Sequence, residues 1–271
     1  MQYEENPPAS LTGHTSAMQI DTSASPDRVR LRPLSARSVV LSLLLGLHPP
    51  ELPVRDLVRT VAPFGVSGST LRAALSRMVT AGDLHRTDTV YRLSDRLLER
   101  QRRVDAAVHP ETRIWDGEWE LVVVTATGRG STERAELRAQ LSGLRLAELR
   151  EGVWLRPANL LRPRPSQLSD VARYFTTRPE QPAPALAASL WALEEWAQTA
   201  NHLLAHYGAV KGPADRFATA AAMVRHLLTD PVLPDELLPA DWPGSALRTA
   251  YAGYEDETAE SMRSGRARLP Q

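Results

Sequence analysis

Between Phe64 and Leu84 the chain reads FGVSGSTLRAALSRMVTAGDL, and DLHRTDTVYRLSD completes the stretch to Asp95. This pairing of patterns constrains the fold more than any other feature. Leu71, Ala74, Leu75, Met78 and Val79 recur at helical spacing. Ser67 offers a cap hydroxyl before the first turn, and Gly82 a stop after the last. Leu84–Arg86 and Thr89–Leu93 then read as two short strands around a polar tip. Upstream, Ser35 can cap a first helix with Val39, Val40, Leu43, Leu44 and Leu47 on one face. HPPEL breaks it. A second helix is predicted from Pro53, a residue suited to a first turn, burying Val54, Leu57, Val58 and Val61. Three helices followed by a two-stranded ribbon is the order of a winged helix-turn-helix.

The charge is distributed unevenly along these 271 residues. Residues 1–27 hold four acids and no base, and residues 28–108 hold 14 arginines against seven acids. The remainder holds 18 bases against 21 acids, so the formal net charge is zero. A basic segment beside a mildly acidic one is the electrostatic outline of a nucleic-acid-binding head on a separate body. Lys211 is the single lysine, which fits GC-rich coding. The absence of cysteine excludes disulfides and thiolate metal sites. No run approaches the roughly 18 apolar residues that span a bilayer, and no signal peptide is evident. A cytoplasmic protein that does not enter the membrane is the expectation.

The length suits two or three domains. Residues 1–30 are polar, without apolar periodicity, and read as a disordered tail. The winged head is expected over residues 31–95 and a connecting helix over 96–112. Over 113–180, WELVVVT gives a strand, Ser131–Leu144 a helix, and Glu151-Gly152 the centre of a hairpin. SQLSDVARYFTTRP would supply a second helix and a last strand. Strand, helix, strand, strand, helix, strand is the ferredoxin-like order. Residues 181–265 read as a helical domain, with one long helix over about 185–207 and others near 213–229 and 244–262. The fold class is α+β.

The buried stripe fixes the rotation of the third helix. At about 100° per residue, Ser69, Ala73, Ser76, Arg77 and Thr80 point outward, with Arg72 at the flank. Small hydrogen-bonding side chains near the N-terminus permit close approach to a major groove, and arginine can read guanine edges or bind phosphate. The N-terminal amides favour phosphate as well. A solvated face on an ordinary helix would show the same pattern; the neighbouring helices, the ribbon and the positive charge favour DNA. Arg86 and Arg92 can reach phosphate or the minor groove from the ribbon, or serve as plain surface residues.

Other motifs fall short. Gly128 and Gly130 begin a dinucleotide fingerprint, but its third glycine would fall at Glu133. His202 and His206 share a helix face, yet a zinc protease would need glutamate where Leu203 stands. Trp115, Trp119 and Trp154 suit core packing more than ligand stacking. No nucleophile triad, phosphate loop or paired carboxylates occur, so neither a catalytic site nor a metal site is expected.

Three separated segments carry a family resemblance. LSARSVVLSLLLG, LVRTVAPFGVSGSTLRAALSRMVTAGDL and YRLSDR resemble the N-terminal head of PaaX-type regulators, the repressors of phenylacetate degradation. IWDGEWELVVV and LREGVWLRPANL resemble their middle domain, and LLTDPVLPDELLPADWPG their C-terminal region. The resemblance implies a homodimer on an inverted-repeat DNA operator, released by an aryl-CoA thioester such as phenylacetyl-CoA. It implies DNA contacts at Ser67, Ser69, Thr70, Arg72, Ser76, Arg77 and Arg86. A CoA ligand needs cations for its phosphates and an apolar slot. Arg129, Arg156, Arg162 and Arg164 near Trp154 offer both, unless they are solvated or pair with the many glutamates. The middle domain is also similar to small CRISPR-associated ribonucleases, which makes a metal-dependent nuclease the alternative function. Those enzymes place an aspartate at the end of the first strand, where this chain has Thr125 and Thr127.

Overall fold

The computed structural model describes residues 35–163 and 168–267, with side chains to residue 260. The expected tail at residues 1–30 and the candidate Arg164 lie outside them. Ser35 Oγ accepts a hydrogen bond from the Ser38 amide at 3.1 Å and opens helix α1 (Ala36–Leu45). Strand β1 (Glu51–Pro53) and helix α2 (Val54–Val61) follow, then helix α3 (Gly68–Thr80). Gly82, at φ 69°, turns the chain out of α3 in the left-handed region that suits glycine. Strands β2 (Leu84–Thr87) and β3 (Val90–Leu93) form the hairpin, with Asp88 at φ 52° in its two-residue turn.

Within the head one element differs from expectation. Pro53 does not begin a helix but ends β1, in extended backbone. Glu51, Leu52 and Pro53 pair with Arg92, Tyr91 and Val90, so the sheet has three antiparallel strands in the order β1-β3-β2. Pro53 is tolerated because β1 is an edge strand. Leu71, Leu75 and Met78 of α3 are buried against Val39, Leu44, Leu57 and Leu84, while Val79 is half-buried.

Helix α4 (Asp95–Val108) leads out of the head to strand β4 (Trp119–Val124). Helix α5 (Ser131–Gly143) and strands β5 (Ala147–Arg150), β6 (Val153–Pro157) and β7 (Ala172–Thr177) follow. The second sheet is antiparallel in the order β5-β6-β4-β7, so its first strand lies between its third and fourth. Alternation along the strands sends Val122 and Trp154 to one face, against Leu137 and Leu141 of α5. Trp119 and Leu155 go to the other. The helix expected before the last strand lies mostly outside the described residues; of that segment Leu168 has 3-10 helical backbone and residues 169–171 form a turn.

The C-terminal part is helical. The single helix expected over 185–207 is two, α6 (Ala183–Leu190) and α7 (Leu193–Ala209). Trp191 is extended between them, and its ring stacks on Trp119 with centroids 6.5 Å apart. A contact with the distant sheet outweighs local helix preference there. Helices α8 (Pro213–Leu227) and α9 (Gly244–Ala267) complete the chain. Trp196 of α7 lies between His226 and Trp242, stacked at 4.3 and 4.5 Å. Phe217 of α8 joins the core of the head, with its ring 4.7 Å from that of Phe64. The described residues form a mixed α+β protein with two antiparallel sheets.

Candidate nucleic-acid interface

The outer face of α3 is built from short polar side chains and two arginines. Ser67 Oγ accepts from the Thr70 amide at 3.2 Å, and the Ser69 and Thr70 hydroxyls lie 3.0 and 2.9 Å from it. Ser67 is therefore committed first to capping. Ser69, Thr70, Arg72, Ala73, Ser76, Arg77 and Thr80 are all exposed. Thr80 turns its hydroxyl back onto the Ser76 carbonyl at 3.1 Å, leaving the Ser76 hydroxyl outward. Arg72 and Arg77 make no hydrogen bond or ion pair among the described residues.

No acid occurs between Phe64 and Gly82, and the next one is neutralised from elsewhere. Asp83 is 1% exposed. Arg37 reaches it through Nε and Nη2 at 3.1 and 2.7 Å, and Arg96 of α4 through Nη2. Asp56 of α2 is likewise buried and held by Arg59 at 2.6 Å. The nearby carboxylates thus leave the positive charge of Arg72 and Arg77 uncompensated. Such a face attracts polyanions from a distance.

The hairpin carries Arg86 and Arg92, both exposed. Arg86 Nε donates to the Asp88 carbonyl at 2.8 Å, and its guanidinium lies 5.8 Å from the centre of the Tyr91 ring. It braces the turn while its terminal nitrogens stay at the surface. Sequence reading did not find this bracing role, although the Asp-Thr turn two residues away is the signal for it.

The residues named for a CoA ligand divide into separate places. Arg129 and Trp154 line one cavity of about 410 Å³ beside the first turn of α5. Arg156 is not in it; the side chain is fully buried. It donates to the Pro157 and Arg145 carbonyls at 3.0 and 3.3 Å, and to Asn159 Oδ1 and the Val232 carbonyl at 2.9 and 3.1 Å. Burial, with the charge of Arg162 beside it, pushes this guanidinium below the usual arginine range. Arg156 is a staple between β6 and the connector before α9. Arg162 binds Glu120 at 2.9 Å and lines a different cavity. Among the described residues no cluster of His, Asp or Glu could hold a metal ion.

Known protein families match three stretches of the chain. Residues 35–97 match the family described as PaaX-like protein, residues 112–185 the PaaX protein central Cas2-like domain, and residues 191–264 the PaaX-like protein C-terminal domain. The chain belongs to the PaaX family. A solved structure of the uncharacterized protein Rv0674 from Mycobacterium tuberculosis is 49% identical, covers 86% of this chain and 99% of its own, and superposes with a TM-score of 0.75. No curated protein matches the chain. The PaaX match makes this a PaaX-type regulator, and the first matched stretch contains α3 and its hairpin. Most of α4 falls between the first two PaaX stretches. No helix of the described residues is long and apolar enough to cross a membrane.

Proposed function

We propose that this protein is a dimeric, ligand-responsive transcriptional repressor that reads DNA through α3. One observation carries the reading: an acid-free, exposed helix face with two unpaired arginines, at the end of a helix–helix–helix–hairpin unit. In this reading residues 31–95 are a winged helix-turn-helix, 96–112 a connecting helix, 113–180 a ferredoxin-like domain and 181–265 a helical domain. Ser69, Thr70, Ser76 and Arg77 face base edges, Arg72 and Arg86 reach phosphate, and Ser67 holds the helix end in place. A homodimer would present two such helices to the two halves of an inverted repeat, spaced by whole turns of the duplex. The family resemblance supports an aromatic-acid catabolic operon as target and an aryl-CoA thioester as the releasing effector.

Footprinting on DNA flanking the gene tests the reading. The expected result is protection of a palindromic site, with affinity falling steeply as salt rises. Absence of any protected site across the neighbouring operons would overturn it. Affinity unchanged in Arg77→Ala would remove Arg77 from the contacts.

A further inference from the structure

A cavity of about 480 Å³ lies away from α3, within the roughly 300–1,000 Å³ range of small-molecule sites. Four parts of the chain build it. Helix α4 supplies Arg100 and Arg103; the end of α5 and the segment after β6 supply Arg145 and Arg162. Leu228, at the end of α8, closes it beside Leu144 and Leu161. Four guanidinium groups thus line a partly apolar space with one lining carboxylate, Glu111.

Arg162 is incompletely satisfied. Its Nη2 meets Glu120 Oε2 at 2.9 Å, but Nε and Nη1 are buried with no hydrogen-bond partner among the described residues. Oε1 of Glu120 is unpaired as well, so the ion pair does not close on itself. Buried donors without partners are uncommon in folded proteins and call for an explanation. Like charges are also crowded together. Burial, then the charges of Arg103 and Arg37, pushes Arg100 below the usual arginine range. Burial does the same to Arg145, opposed by Asp230 and reinforced by Arg248 and Arg162. A bound anion would relieve both conditions.

We propose that this cavity is the effector site, taking a phosphate-bearing ligand with an apolar tail. The phosphates engage Arg100, Arg103 and Arg162 in the forked geometry that guanidinium favours, and the tail lies on Leu144, Leu161 and Leu228. The proposal rests on the regulator reading above. The other cavity suits an anion less: it is lined by Glu148 and Glu151, its Arg138 is paired with Glu148 at 3.1 Å, and its walls come from the middle sheet, α5 and the loop between β4 and α5. The α4 cavity has a mechanical route to the DNA face. The first turn of α4 carries Arg96, which clamps Asp83 at the base of α3. A ligand drawing Arg100 and Arg103 toward the middle domain acts on the strut that sets α3. It shifts the equilibrium only by its preference for the DNA-free arrangement.

The experiment uses the full chain, with titration of coenzyme A, phenylacetyl-coenzyme A and phenylacetate by calorimetry, and operator affinity measured on the same samples. Both CoA compounds are expected to bind and phenylacetate alone to bind weakly or not at all. Arg103→Gln, on the exposed side of α4, should weaken CoA-compound binding by about tenfold or more and abolish ligand-driven release. It should leave ligand-free operator affinity unchanged. Arg162→Gln should match it if the protein folds; Arg134→Gln, in the other cavity, should bind as wild type. The proposal fails if Arg103→Gln binds like wild type, if Arg134→Gln loses binding as much, or if no CoA compound binds at millimolar concentration. It also fails if Arg103→Gln weakens operator binding without ligand, since the residue would then be a DNA phosphate contact. Operator binding by the wild type decides the regulator reading separately.

Discussion

Helices α3 and α5 are each 13 residues long, each buries leucines of one stripe, and each begins at a glycine or serine. They part at the first turn. A hydroxyl, from Ser67, closes the start of α3. A carboxylate closes that of α5: Glu133 Oε2 accepts from the Gly130 amide at 3.0 Å. A carboxylate there already offsets the positive end of the helix dipole and repels a second anion. The same Glu133 stands where a dinucleotide fingerprint would need glycine. Farther along, Glu136 accompanies Arg134, and Arg138 pairs with Glu148, whereas Arg72 and Arg77 of α3 have no acid beside them. Arginine content alone does not distinguish a nucleic-acid face; what each arginine already holds does.

Acid placed on each helix at the same position should separate them most. Ser76→Glu in α3 is expected to lower operator affinity about a hundredfold, or about 2.7 kcal/mol. Ala139→Glu, at the equivalent turn of α5, should leave it unchanged. Equal losses in a gel-shift titration would break the comparison. Removing charge comes next. Arg77→Ala should cost about 1–3 kcal/mol of specific binding. For every phosphate that Arg77 neutralises, it should also flatten the salt dependence by about one in slope. Arg138→Ala should do neither. The caps should differ in stability: Ser67→Ala should cost about 1 kcal/mol in urea unfolding. Glu133→Gln should cost less, since its amide can still accept the same bond.

The smallest effect lies outside both helices. The Glu255 carboxyl is pushed up to about 7 by burial, against the Tyr251 hydrogen bond and with the charge of Asp105. Between the ordinary value of 4.5 and about 7 the folded state holds a proton that the unfolded state releases. Stability from this group therefore falls as pH rises through that window. Glu255→Gln should raise the melting temperature more at pH 8 than at pH 5, with operator affinity unaltered. A gain that is equal at both pH values would refute the assignment.

What the sequence made legible was local. The stripes of α1 and α3, the Ser67 cap, the hairpin and the apolar run of β4 all depend on residues within a few positions of one another. The outward set on α3 followed from the stripe by geometry. Strand β1 did not show, because three residues, the last of them a proline, carry no period. Nor did the break at Trp191, whose cause is a ring 72 positions earlier in the chain, Trp119. Arg156 looked like any basic residue near a tryptophan, since the carbonyl of Val232 that it binds belongs to a distant connector. The α4 cavity gathers residues from 100 to 228 and has no motif.

Phe217 ties the first matched stretch to the third. Its ring is 3% exposed and fills the head's core beside Phe64, although it belongs to α8. A head transplanted at residue 95 onto another sensor would arrive with a vacancy the size of a phenyl group. Under the proposed function, DNA specificity is therefore easier to change by rewriting the face of α3 than by swapping the whole head. Engineers seeking hybrid regulators should recode that face, or carry α8 along with it.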